Sequence, residues 1–237
     1  MINGKKVIAI IAAAGSSNRM KSNINKIFIK LDGKPVLMHT IEKFENAKYV
    51  DDIIIGSKED EIDYLLNEVL PMGKISKVKA VIKGGKTRQK TVENCLSFLP
   101  DEDAIILSHD GARPFIKIDI IEKAIEEVVE KRAVVVGVPV KDTIKTVEDE
   151  KSKVVFLTPN RNLLWRAQSP QIFYLKDLRA AYEYGRQEKI EVTDDSSIVE
   201  KYGIPVYMTM GSYDNIKLTT PEDLMLAELF MKSEETK

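Results

Sequence analysis

The chain has 237 residues, 36 of them basic and 37 acidic for a net charge of −1, with 43% hydrophobic and 31% charged residues. That is enough chain for one large domain or two small ones with a real core, and the neutral total argues against a protein that coats nucleic acid or an anionic membrane through bulk charge. Cys95 is the only cysteine, which excludes an intramolecular disulfide and a cysteine-based zinc cluster, and the composition reads as that of a cytoplasmic globular protein. Lys5-Lys6 followed by the apolar run Val7 to Ala14 has the outline of a secretory signal. The run is too short to span a bilayer and passes directly into the polar Gly15-Ser-Ser-Asn-Arg-Met-Lys, as a buried strand ending in a turn does.

Short β-rich runs then alternate with amphipathic stretches. Strands are predicted at Val7–Ala13, Ile53–Ser57, Val78–Ile82, Ala104–Ser108 and Val134–Val138, whose continuous apolar character suits a sheet covered on both faces. Helices are predicted at Val36–Phe44, Glu59–Leu70, Thr87–Phe98 and Ile118–Glu130, the last carrying Ile118, Ile121, Ile125 and Val128 at helical spacing. The alternation predicts an α/β fold with a mainly parallel twisted sheet covered by helices, in which ligands bind beyond the carboxyl ends of the strands. Lys141–Thr158 alternates Val and Ile with charged residues around Glu148 and predicts a projecting hairpin with a wet tip. Thr193-Asp-Asp-Ser predicts the start of a short helix, and Thr220, Pro221 and Asp223 supply the N-cap, N1 and N3 positions of a last one. With no repeat and no Gly/Ser linker, residues 1–237 read as a single domain with a projecting arm at 141–161.

Three loops at predicted strand ends can carry chemistry. Ala12-Ala-Ala-Gly-Ser-Ser-Asn-Arg-Met-Lys, continuing to Lys26, offers small residues and positive charge to an anion. It lacks the Gly-Lys-Ser/Thr of a P-loop and the second and third glycines of a dinucleotide fingerprint, and an exposed basic turn would look the same. Lys83-Gly-Gly-Lys-Thr-Arg could wrap a base or ribose, or could be a turn whose glycines only satisfy geometry. In Ser108-His-Asp-Gly-Ala-Arg-Pro, Asp110 is placed to hold Mg²⁺ or a substrate hydroxyl, and Arg113 either binds phosphate or pairs with Asp110. His109 is one of two histidines, so a histidine zinc site is disfavoured and a structural role expected; Trp165, the single tryptophan, is expected in the core.

Taken together and in order, the blocks Ala13-Ala-Gly-Ser-Ser-Asn-Arg-Met, His109-Asp-Gly-Ala-Arg-Pro, Pro139-Val-Lys-Asp-Thr-Ile-Lys, Arg161 with Leu164-Trp, Ser169-Pro-Gln and Asn215-Ile-Lys-Leu-Thr-Thr-Pro-Glu-Asp-Leu are specific. Over nearly its whole length the chain resembles the 2-C-methyl-D-erythritol 4-phosphate cytidylyltransferases of the non-mevalonate isoprenoid pathway. The resemblance implies a Rossmann-like nucleotidyltransferase fold whose β-arm serves dimerisation. It also implies a Mg²⁺-dependent transfer of cytidylyl from CTP to a small sugar phosphate, and a homodimer that needs neither nucleic acid nor membrane. Arg19 and Lys26 then match the pair that stabilises the transition state, and Arg161 and Lys217 the pair that positions the sugar phosphate. Ala13, Ala14, Gly15, Ser16, Gly84, Gly85, Thr91 and Asp110 match the CTP segments. Asp110, Arg113, Thr143, Arg161, Ser169, Thr193 and Lys217 match positions that meet the sugar phosphate, with Asp110 also the metal ligand and Asp214 a candidate second one. The arm would lend Thr143 and Arg161 to the partner's site. Departures from the family pattern include Ser17 for a glycine, Gln89-Lys-Thr after Arg88, Gly111 for alanine and Ser169 for threonine, the last keeping the hydroxyl.

The implied chemistry suits the residues. A phosphate monoester, with its second pKa near about 6, is already mostly dianionic at neutral pH, so its attack on the α-phosphorus of CTP needs no general base. It needs cations that cancel repulsion and stabilise charge on the phosphate oxygens. Three rival readings are a ribitol-5-phosphate cytidylyltransferase, a Rossmann dinucleotide oxidoreductase and a catalytically silent nucleotide-binding protein. The Pro-Val-Lys-Asp-Thr-Ile-Lys and Ser-Pro-Gln blocks weigh against the first, the missing glycines against the second, and Arg19, Lys26, Asp110 and Lys217 against the third.

Overall fold

A computed structural model describes residues 1–15 and 25–235, so the expectations for Ser16 and Arg19 lie outside the described residues. The first apolar run is β1 (Lys6–Ala12), buried along its centre. A two-stranded ribbon, β2 (Lys30–Leu31) with β3 (Lys34–Pro35), precedes α1 (Val36–Asn46). Next come β4 (Asp52–Ser57), the short α2 (Ile62–Tyr64), β5 (Val78–Lys83), α3 (Arg88–Phe98), β6 (Ala104–Asp110), α4 (Ile118–Lys131) and β7 (Ala133–Pro139). The arm is the exposed pair β8 (Thr146–Val147) and β9 (Val155–Leu157), and the chain returns through β10 (Trp165–Tyr174). It ends with α5 (Leu175–Gln187), α6 (Asp195–Lys201), β11 (Tyr207–Met210) and α7 (Pro221–Glu235).

One seven-stranded sheet runs in the order β11–β7–β10–β6–β1–β4–β5. Strand β10 is antiparallel to both β6 and β7, and every other pairing in the sheet is parallel. The period-two alternation of β1 divides the core in two. Val7, Ala9 and Ile11 face a cluster with α1 and α4, while Ile8 and Ile10 face one with α3, α5 and α6. Burying each such aliphatic side chain contributes roughly 1.5–3 kcal/mol, so the sheet is clamped from both faces. A smaller cluster of Leu31, Val36, Phe115, Leu218 and Ala227 seats α7, where Asp223 accepts the amides of Thr219 and Thr220 in the manner of a capping box.

Two expectations are corrected. The single helix predicted over Glu59–Leu70 is a succession of 3₁₀, α, π and 3₁₀ turns from Glu59 to Met72. Pro71 lies in its last turn, where it cannot continue an α-helical ladder, and Leu65 and Val69 are its buried residues, too few to hold one regular amphipathic face against the sheet. Trp165 is 37% exposed rather than in the core, because it opens β10 opposite Pro139 at the root of the arm. Strand β10 itself escapes a pattern reading because Pro170 lies inside it; the pairing with β7 shifts register between Ala167 and Gln171, which accommodates the proline.

Candidate active site

The sheet reverses direction of growth at β1, which has β4 on one side and β6 on the other. In open α/β sheets ligands bind beyond the carboxyl ends of the strands at such a switch point. There a pocket of about 250 Å³ is lined by Ala12–Gly15 after β1, by Lys26 and Ile27, by Lys86–Arg88 and Thr91 at the start of α3, and by Asp110, Ala112 and Lys217. A larger hollow of about 360 Å³ between α3 and α5 lies away from these strand ends.

Close backbone contacts hold the loops in place. The amide of Ala13 donates to the Gly56 carbonyl at 2.7 Å, that of Gly111 to Ala12 at 2.9 Å and that of Leu218 to Ala112 at 2.9 Å, so the last of these carries Lys217 to the pocket. Gly84 donates to Ser57 at 2.7 Å, and any side chain there would strike the Ala14 methyl and lie 3.1 Å from Thr91. The Gly85 amide donates to Thr91 Oγ1 at 3.0 Å, and that hydroxyl donates to the Thr87 carbonyl at 2.9 Å. Thr91 is thus buried and braces the glycine turn from beneath the pocket floor. Gly111 has a local reason: an alanine Cβ would lie 3.0 Å from Leu37 Cδ1 and 3.2 Å from the Ala12 carbonyl. Asn25 accepts the Ile27 amide and donates from its own side-chain amide to Glu61, fixing the turn that bears the buried Lys26.

Asp110, the last residue of β6, is the electrostatic centre. Its Oδ1 accepts Arg88 Nε at 2.8 Å, while Oδ2 meets Lys217 Nζ at 2.9 Å and Arg113 Nε at 3.3 Å. Its amide donates to Ser169 Oγ at 3.1 Å. Burial alone would raise the Asp110 carboxyl, but Arg88, then Lys217 and Arg113, outweigh it and hold the group well below the usual carboxylate range. Arg113 also donates to the Asn215 carbonyl at 2.8 Å, and Asn215 Nδ2 donates to the Ser169 carbonyl at 2.9 Å. This ties the Asn215-Ile-Lys217 segment to β10. His109 is buried against Phe44 with Nε2 on the Arg113 carbonyl at 3.2 Å; burial pushes its pKa down to about 3, so it is a neutral structural group.

The expected residues divide by place. Ala13, Ala14, Gly15, Lys26, Thr91, Asp110 and Lys217 line the pocket, with Gly84, Gly85, Arg113 and Ser169 directly behind them. Thr193 sits exposed just ahead of the Asp194 cap of α6. Thr143 and Arg161 are exposed on the arm, the latter donating to the Lys141 carbonyl at 2.9 Å, and neither lines the pocket of its own chain. Asp214 is exposed, 4.0 Å from Lys117 and outside the Asp110 cluster, so nothing in its position suits a second metal ligand. Among the described residues no three His, Cys, Asp or Glu side chains gather as a metal cage. Mg²⁺ is commonly held by one or two carboxylates plus substrate phosphates, and the lone Asp110 facing the pocket fits that donor set. Arg88 and Asp195 are a pair that a separation of 107 residues hides in the sequence; its one signal is an arginine at the first position of a helix, where a cation is disfavoured unless paired.

A cationic pocket at the switch point of a mainly parallel sheet defines an α/β protein that handles phosphorylated ligands. The family model for 2-C-methyl-D-erythritol 4-phosphate cytidylyltransferase matches residues 7–233, and the chain belongs to that family. Proteins of that name from Geotalea uraniireducens and Clostridioides difficile are each 45% identical, over 96% and 95% of this chain and 97% and 93% of their own. The crystal structure of 4-diphosphocytidyl-2C-methyl-D-erythritol synthase from Anaerococcus prevotii superposes with a TM-score of 0.85 at 32% identity, covering 98% of both chains. The fold is therefore the nucleotidyltransferase one, and the chain is a cytidylyltransferase. No helix among the described residues is long and apolar enough to cross a membrane.

Proposed function

We propose that the protein joins CTP and 2-C-methyl-D-erythritol 4-phosphate to give 4-diphosphocytidyl-2-C-methyl-D-erythritol and pyrophosphate. The observation that carries this reading is the convergence of Arg88, Arg113 and Lys217 on Asp110 at the β1–β6 crevice, beside a pocket that Lys26 also lines. An oxygen of the sugar phosphate attacks the α-phosphorus, the bond from α-phosphorus to the bridging oxygen breaks, and pyrophosphate leaves with that oxygen. The attacking dianion brings its own electron pair, consistent with a neutral, inward-locked His109 that serves no base function. Ala13–Gly15 and the Gly84-Gly85 turn form the nucleotide side, where small residues let a ligand approach the main chain. Lys26 and, from the stretch outside the described residues, Arg19 stabilise charge on the phosphate oxygens, while Lys217 and Arg113 receive the sugar phosphate on the Asp110 side.

Mg²⁺, held by Asp110 together with triphosphate oxygens, would supply further neutralisation of the nucleotide. The arm supports a homodimer as the working unit: Val154, Val155, Phe156, Leu157 and Leu163 are exposed there, a patch that a second copy would cover. The partner's arm then brings Thr143 and Arg161 to the site that lacks them, and Ser169 and Thr193 border the same sugar side. CTP and the sugar phosphate are multiply charged and do not cross a bilayer unaided, which supports the cytoplasm as the compartment of the reaction.

The test is pyrophosphate release with CTP or UTP, each against methylerythritol phosphate and ribitol 5-phosphate. Release is expected with CTP and methylerythritol phosphate alone; release with ribitol phosphate instead, an outcome the names of the relatives weigh against, would overturn the assignment. In the same assay Lys217→Ala should lower kcat by about 10²–10³, and undiminished turnover would remove Lys217 from the machinery.

A further inference from the structure

We infer that Arg88 is a positioning residue of the nucleotide site, fixing the Asp110 carboxylate in one arrangement from behind and tying it to the start of α6. The inference rests on the CTP reading of this pocket. Arg88 opens α3, following the Thr87 cap whose hydroxyl accepts the Lys90 amide at 3.1 Å. The macrodipole makes this end of a helix unfavourable for a cation. Its side chain nevertheless turns inward, about four-fifths buried, and every branch of the guanidinium has an acceptor. Nε donates to Asp110 Oδ1 at 2.8 Å, Nη1 to Asp195 Oδ2 at 2.7 Å and Nη2 to Ser108 Oγ at 3.0 Å.

Asp195 is wholly buried and also accepts the Tyr182 hydroxyl at 2.5 Å. One planar group thereby joins the starts of α3 and α6 to the end of β6. The division of the carboxylate is the consequence that matters for ligand. With Oδ1 committed to Arg88, Oδ2 is the oxygen left to Lys217 and Arg113. Arg88 also borders the pocket beside Lys86 and Thr87, just after the turn whose Gly84 lies against Ala14. A lysine would keep the charge but, as a point cation on a flexible stem, could not satisfy three acceptors in a fixed plane.

The experiment compares wild type, Arg88→Lys and Arg88→Gln by calorimetric titration with CTP, by steady-state kinetics varying each substrate separately, and by thermal melting. Arg88→Lys is expected to melt within a few degrees of wild type yet bind CTP about tenfold more weakly and lose at least tenfold in kcat. Arg88→Gln should lose more in both, and the lysine should restore part of that loss. If Arg88→Gln does not fold, Arg88→Lys alone decides. Unchanged CTP affinity and kcat per folded molecule in Arg88→Lys, whatever its melting temperature, would reduce the residue to a structural ion pair and overturn the inference. A wild-type protein that binds no CTP would instead overturn the functional reading on which it rests.

Discussion

His109 shows how a single buried side chain turns sequence into pH dependence. Its Nε2 serves the Arg113 carbonyl, its Nδ1 has no partner among the described residues, and the Phe44 ring lies 4.8 Å away. The folded pKa of about 3 lies below the ordinary value of 6.5, chiefly through burial. Below pH 6.5 the unfolded chain therefore takes up a proton that the native one refuses. The stability tied to a neutral His109 is complete above pH 6.5, falls steadily with decreasing pH and is exhausted near pH 3. Between pH 6.5 and 5 it amounts to about 2 kcal/mol. Denaturant titrations of wild type and His109→Gln at pH 7.5 and 5 are expected to show a steeper acid loss in wild type. Equal slopes would mean that His109 is not held neutral. Asp110, its neighbour, has a depressed pKa and keeps its charge across this window, so the two residues do not titrate together.

At the scale of the element, the turn between β5 and α3 is the instructive piece. The pair Gly84-Gly85 left two readings open from sequence, and the structure gives a packing reason for both glycines. A side chain on Gly84 would meet Ala14, and one on Gly85 would run into Lys90. Gly84→Ala should therefore push the first loop outward, lowering the melting temperature by the few degrees that about 1–3 kcal/mol of overpacking produces. It should raise KM for CTP more than KM for the sugar phosphate; equal effects on the two would place Gly84 away from the nucleotide side. Of the parallel strands, β1, β4, β5, β6 and β7 were legible as short Val- and Ile-rich runs, and β6 even extends the predicted Ala104–Ser108 to Asp110, whereas the short β11 with Thr209 inside it carries no such run. The α4 helix was legible because its apolar residues keep helical spacing. Strand β10 was hidden because Arg166, Gln168, Ser169 and Gln171 interrupt its apolar pattern with polar side chains. The sequence could likewise name Asp110 and Lys217 as partners in chemistry, but not the 2.9 Å contact that only their separate elements create.

For the whole molecule, the exposed apolar arm is the feature that a lone protomer leaves unsatisfied. Phe156 and Leu163 are 73% and 78% exposed, so replacing them disturbs no core. Phe156→Asp combined with Leu163→Asp is expected to halve the mass in sedimentation and to lower kcat at least tenfold, while the melting transition of the protomer persists. Monomers with wild-type turnover would show that Thr143 and Arg161 are not shared between copies. The arm leaves the sheet after β7 and re-enters it as β10, the strand wedged antiparallel between β7 and β6. That same strand delivers Ser169, whose hydroxyl receives the Asp110 amide. Gln171, Ile172 and Phe173 pair with β6 and β7 on both sides and fix where that hydroxyl sits, so one residue added or removed between Ser169 and Gln171 would withdraw it. The arm is therefore no exchangeable module. A grafted or trimmed arm would have to preserve the length of its return strand, so its tip is free to change while its root is bound to the chemistry.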